Sequence, residues 1–183
     1  MSAWETVQLW RNALLTLADP QKSARHSTAT FVLQAVWEEW ERRECELDPD
    51  EDGFPWPSTR ADGGSGNLKA TNWLQEGLLK SVGYTVGDTA GLDDVVRQHL
   101  LAALFDGPIP PVFPRDYMQK WSRPRTPARL RQLAETLAAF ARNAKRRNQD
   151  LSKAIGDWEA DHDFLFHTYY RGRFGFDWPR TIV

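Results

Sequence analysis

Four carboxylates, Asp157, Glu159, Asp161 and Asp163, crowd one short stretch of the sequence, with His162 among them and His167 just beyond. Carboxylates and histidines are the raw material of general acid–base and metal-assisted hydrolysis, so this is where a hydrolase would be sought. Helical geometry argues against that use. At about 100° per residue the four acids spread over both flanks of a helix, where a solvated face is expected. His162 and His167 are five residues apart, point about 140° away from each other and cannot share a metal ion. His162 falls on the apolar stripe, as a core histidine satisfied by a hydrogen bond does. His26 and His99 are isolated in the sequence. No H-E-x-x-H, Cys-x-x-Cys, P-loop, G-x-S-x-G or G-x-G-x-x-G occurs, so no catalytic residue and no cofactor is assigned. A hydrolase using the clustered carboxylates with a metal remains a third reading, because partners converge only in space.

Asp48, Asp50 and Asp52, followed by Gly53, reproduce the first half of a calcium-binding EF-hand loop. The second half fails. Thr59 stands where a bidentate glutamate is needed, Pro55 lies inside the loop, and Pro57 stiffens the point where the exiting helix would begin. The stretch reads as a solvated acidic loop, and no metal is assigned.

Basic residues are more informative. The net charge is only -2, but Arg115 to Lys153 holds eleven Lys/Arg against three acids, whereas Glu38 to Asp52 holds nine acids against Arg42 and Arg43. Arg123 and Arg125 precede a helix that Arg142, Lys145, Arg146 and Arg147 close, and Arg131 lies between. Arg131, Arg142 and Arg146 share one face of that helix, which is roughly 30 Å long, and could track phosphates. The alternative use of the terminal cations is to complement the helix dipole, and the charge lobes could neutralise each other within the fold. A pI near 6.1 also departs from the basic character usual in dedicated nucleic-acid binders.

The elements that position these groups are helical. Ser2 can cap a helix to Ala18 with Val7, Trp10, Leu14 and Leu17 as its stripe, ended by Asp19-Pro20. A second helix covers Thr28 to Glu44, a third Asn72 to Val82 with Gly83 as left-handed cap, and a fourth Leu92 to Phe105. Pro108 to Pro114 is extended. Thr126 as N-cap and Pro127 as first helical residue start the clearest helix, to Arg147. A last helix spans Asp150 to Tyr170, burying Leu151, Ile155, Trp158, Leu165 and Tyr169. The expectation is an all-α single domain of five or six helices over 1–183: an N-terminal helical pair (1–47), an acidic Gly/Pro loop (48–67) and a main helical body (68–183).

One internal echo recurs. Gly53-Phe54-Pro55-Trp56-Pro57-Ser58-Thr59 matches Gly175-Phe176-Asp177-Trp178-Pro179-Arg180-Thr181 at five of seven positions, each copy following a helical tryptophan. Two copies do not make a solenoid. They suggest two irregular aromatic arms, built on Phe54, Trp56, Phe176 and Trp178, that fold back to seal a core or present a contact surface. Nine tryptophans read first as large core plugs.

The single cysteine, Cys45, excludes an internal disulfide. Neither a secretory leader nor an apolar span is present, so a cytoplasmic protein with no membrane partner is expected.

Several strings together resemble a known group: Gly83-Tyr84-Thr85-Val86-Gly87, Arg97, Trp121-Ser122-Arg123-Pro124, Arg142-Asn143-Ala144-Lys145-Arg146-Arg147, Asp157-Trp158-Glu159-Ala160-Asp161 and the F-x-W-P segments. They resemble a family of small uncharacterised bacterial proteins associated with phage-defence and DNA-processing gene clusters. The resemblance covers about Phe54 to the C-terminus and implies a nucleic acid, or an enzyme acting on one, as partner; it carries no established activity. The leading expectation is a non-catalytic accessory protein acting with DNA or RNA, or with a processing partner, through Arg123, Arg125, Arg131, Arg142, Lys145, Arg146 and Arg147. The second is a protein-interaction module, a homodimer included, using the acidic stretch and the aromatic arms.

Overall fold

The computed structural model describes residues 3–46, 77–110, 113, 115–147 and 150–182. Phe54, Trp56 and the Asp48/Asp50/Asp52 triplet lie outside the described residues. Helices carry the fold, and no strand occurs among the described residues. In chain order they are α1 (Ala3–Ala18), a 3-10 turn (Pro20–Arg25), α2 (His26–Glu46), α3 (Gly77–Ser81), α4 (Asp94–Asp106), α5 (Arg115–Trp121), α6 (Pro127–Lys145) and α7 (Ser152–Leu165). A π-helical turn (Phe166–Tyr170) extends α7, and residues 171–182 form an irregular arm.

The all-α class is as expected, but seven α-helices among the described residues exceed the five or six anticipated. The addition is α5. The prolines before it mask a one-turn repeat of Tyr117 and Trp121, whose rings lie 6.2 Å apart. The Tyr117 hydroxyl ties α5 to α3 by accepting from Leu78 N at 2.7 Å.

Several turns and helix ends have a local cause. Asp19 ends α1 and caps the following turn, its carboxylate accepting from Gln21 N at 2.9 Å, with Pro20 just inside. Gly83, at φ +83°, terminates α3 where a side chain would be strained. Gly91 lets the 83–93 loop close: its N–H donates to the Gly87 carbonyl at 3.0 Å, at an approach that leaves no room for a Cβ.

One continuous core follows. Trp10 of α1 and Trp40 of α2, both fully buried, meet edge-on at 5.4 Å, and the Trp40 indole donates to the Thr6 hydroxyl at 2.9 Å. Helix α4 lies at the centre and packs on α1, α6 and α7, burying Leu100, Leu101, Leu104 and Phe105. Helices α6 and α7, joined by a short connection, form a hairpin. On α6, Leu130, Leu133 and Leu137 alternate with Ala134, Ala138, Ala141 and Ala144, all buried, and the small residues let α7 approach closely. Trp10, Trp40 and Trp121 are buried, as core plugs should be.

Candidate nucleic-acid interface

Helix α6 presents the basic residues. Thr126 is extended, and its hydroxyl accepts from Arg129 N at 3.2 Å, satisfying one of the free N–H groups of the first turn. The apolar stripe then turns inward, so Arg131, Arg146 and Arg147 are left facing solvent, joined by Arg123 from the approach loop. None of these four has an ion-pair partner among the described residues. Arg125 is also exposed, with its Nε 2.9 Å from Asp106 Oδ1. Arg173 sits in the same neighbourhood. Burial pushes the Tyr169 hydroxyl up to about 12, the nearby Asp106 charge adds to the rise, and Arg173 and Arg125 both oppose it.

Two of the predicted seven do other work. Arg142 donates from Nη1 to the Arg180 carbonyl at 2.5 Å and from Nη2 to Glu135 Oε1 at 2.7 Å. Lys145 Nζ reaches Glu159 Oε1 at 2.6 Å and the Thr181 carbonyl at 3.0 Å. These side chains fasten the C-terminal arm along α6. The same contacts bring exposed Arg180 alongside the basic face, a residue that sequence spacing could not place there. The charge of this face is therefore trimmed by Glu135 and Glu159, while Glu38 and Glu39 of the acidic stretch bond within their own helix, to Gln34 and Arg42.

Arg129 leaves the surface altogether. It is 1% exposed and donates to the carbonyls of Trp121, Ser122, Leu104 and Gly107. Burial pushes its guanidinium down to about 10, still fully protonated at neutral pH. The knot holds the approach loop, in which Ser122 and Arg125 both adopt positive φ, 58° and 59°.

Two of the four α7 carboxylates correct the expectation of a solvated face, while Asp163 is exposed as expected. Asp157 and Asp161 are buried because α4 and the 83–93 loop cover that flank. Asp161 accepts from Arg97 Nε at 2.7 Å and from the Tyr84 hydroxyl at 2.6 Å. Asp157 accepts from Gly87 N at 2.9 Å and Lys153 Nζ at 2.7 Å, and lies 3.5 Å from Arg97. Burial raises the Asp161 carboxyl above its ordinary value against the pull of Arg97 and Tyr84. Burial also works against the Asp157 charge, but the Gly87 amide, Lys153 and Arg97 outweigh it and hold that carboxyl below its ordinary value. The i, i+4 spacing of the two aspartates was the available signal, but nothing local announces their partner 60 residues earlier.

The other flank of α7 carries the described aromatic arm. Trp178 donates from its indole to His162 Nδ1 at 3.3 Å and packs on Phe166 and Tyr170. The Tyr170 hydroxyl donates to the Phe176 carbonyl. Phe176 and Trp178 are thus half-buried parts of a seal, and His162 is the core histidine expected, its pKa lowered by burial. His167 is exposed. His26 and His99 are not isolated: burial lowers the pKa of His99 and the charge of nearby His26 lowers it further. Among the described residues no group of three or more His, Cys, Asp or Glu is placed to hold a metal ion, and no helix is long and apolar enough to cross a membrane. No protein-family model, curated protein or solved structure matches this chain.

Proposed function

We propose that this protein is a non-catalytic accessory factor that binds the phosphate backbone of a nucleic acid, alone or beside a processing enzyme, through the exposed side of α6. One observation carries the reading: Arg123, Arg131, Arg146 and Arg147 project into solvent without an ion-pair partner among the described residues. Unpaired guanidiniums on a rigid helix and at its two ends suit phosphate oxygens, which they meet with charge-assisted, bidentate hydrogen bonds. The acids nearest a reactive role favour a non-catalytic reading, since Asp157 and Asp161 are fully engaged by Arg97, Tyr84, Gly87 and Lys153. The resemblance to proteins of DNA-processing gene clusters points the same way.

Fluorescence anisotropy with labelled DNA and RNA over a salt series tests it. Four phosphate contacts predict a log–log salt slope of roughly -3 to -4 on duplex DNA. Arg131→Glu with Arg146→Glu should abolish binding and leave the fold intact, since neither side chain supports another element. Absence of binding at low salt, or an unaltered slope in the double variant, overturns the proposal.

A second reading, a homodimer or protein-contact module, is favoured by one separate feature. Phe31 on α2 is 75% exposed, an unusual position for a large apolar side chain. Phe31→Asp should then shift the sedimentation coefficient toward the monomer.

A further inference from the structure

Next to the basic face lies an open groove of about 840 Å³, walled by α3, α5, α6, α7 and the 84–90 loop. It falls within the size range of small-molecule and cofactor sites. Its α6 wall is the stripe Gln132, Thr136 and Phe140, spaced one turn apart and roughly 100–180° around the helix from Arg131. The exposed side of α6 is therefore shared: arginines on one edge, the groove on the other.

The lining has a definite chemistry. Phe140, 39% exposed, and half-buried Trp158 form a ring pair with centroids 5.6 Å apart at 45°. Tyr117 contributes a third ring from the facing wall. Lys80 and Lys120 stand at the edge, and none of the described residues lining the groove is acidic. Aromatic faces with the exposed Lys120 at their edge complement a ligand that is flat, aromatic and anionic at once. An unpaired nucleotide has that combination. In a duplex the base faces are stacked and out of reach, so a groove of rings can take only an unpaired strand or a free nucleotide.

We infer that this groove receives an unpaired base, stacked on Phe140 and Trp158, with its phosphate toward Lys120. The strand then continues across the α6 arginines. The inference rests on the phosphate-binding reading above and deepens it: the preferred partner is single-stranded nucleic acid.

The full chain is titrated by anisotropy against labelled oligo(dT) and against a duplex of equal length, with AMP as competitor. Oligo(dT) is expected to bind more tightly. Phe140→Ala should weaken it about tenfold, Phe140→Tyr should restore it, and duplex affinity should stay as in the wild type. Lys120→Gln should weaken oligo(dT) severalfold. Phe140 is part-exposed, so Phe140→Ala should keep the wild-type circular dichroism, and a lost spectrum is answered by the Phe140→Tyr and Lys120→Gln pair. Competition by AMP that Phe140→Ala abolishes supports the same groove with a free nucleotide as occupant. Duplex bound as tightly as oligo(dT), or oligo(dT) affinity unmoved by Phe140→Ala, overturns the groove assignment and leaves the backbone reading standing. Failure of both probes removes both.

Discussion

Arg97 Nε lies 2.7 Å from Asp161 Oδ2, with the side chains 4% and 0% exposed, so α4 and α7 are joined by an ion pair sealed from water. Such a pair gains little over well-packed apolar residues, yet removing one member strands a buried charge. Arg97→Ala should cost about 3–5 kcal/mol in urea unfolding. The double replacement Arg97→Met with Asp161→Leu should cost less than either single change. A single-variant loss below about 1 kcal/mol would show the pair to be hydrated.

Arg142 and Lys145 predict the behaviour of the arm. Arg142→Ala should raise amide exchange over residues 176–182 while moving global stability by less than about 1 kcal/mol, as for a part-exposed pair. Arg131→Ala, on the same helix face, should leave exchange in the arm unchanged. Equal exchange in the two variants would mean that the arm is held elsewhere.

His162 predicts a dependence on pH. Burial places its folded pKa below the ordinary 6.5, so the unfolded chain binds a proton first as pH falls. Its contribution is complete above about pH 6.5 and is lost progressively below it. His99 has the same sign. His162→Gln should therefore reduce, without abolishing, the difference in unfolding free energy between about pH 7.5 and about pH 5.5. A variant with the full wild-type difference would assign the effect to other groups.

Thr126→Ala should destabilise the protein by about 1 kcal/mol through loss of the cap on α6, and Thr126→Ser should recover most of it. Thermal melts by circular dichroism provide the measure. Indistinguishable melts would show that Arg129, knotted to four carbonyls, holds this helix end unaided.

The clearest elements were legible because their signals are local. The Thr126-Pro127 start of α6, its leucine and alanine stripe, the stop at Asp19-Pro20 and the left-handed Gly83 each concern residues within a turn or two of one another. The role of His162 and the sealing action of Phe176 and Trp178 were also within reach, through apolar periodicity and the repeated F-x-W-P pattern. Helix α5 was not, because two aromatics one turn apart are too short a repeat to stand out beside four prolines.

By itself, the amino-acid order determined the all-α class, the position of the basic helix and which residues could bear its charge. Tertiary structure decided which of them do. Arg129 went inward to satisfy loop carbonyls, Arg142 and Lys145 were spent on the arm, and Arg180 was delivered from 38 residues away. It likewise converted Asp157 and Asp161 from expected surface acids into buried partners of Arg97. The physical reason is common to all of these: helical periodicity says which way a side chain points, but the cost of an unpaired buried charge depends on what packs over it, and that cover comes from distant parts of the chain.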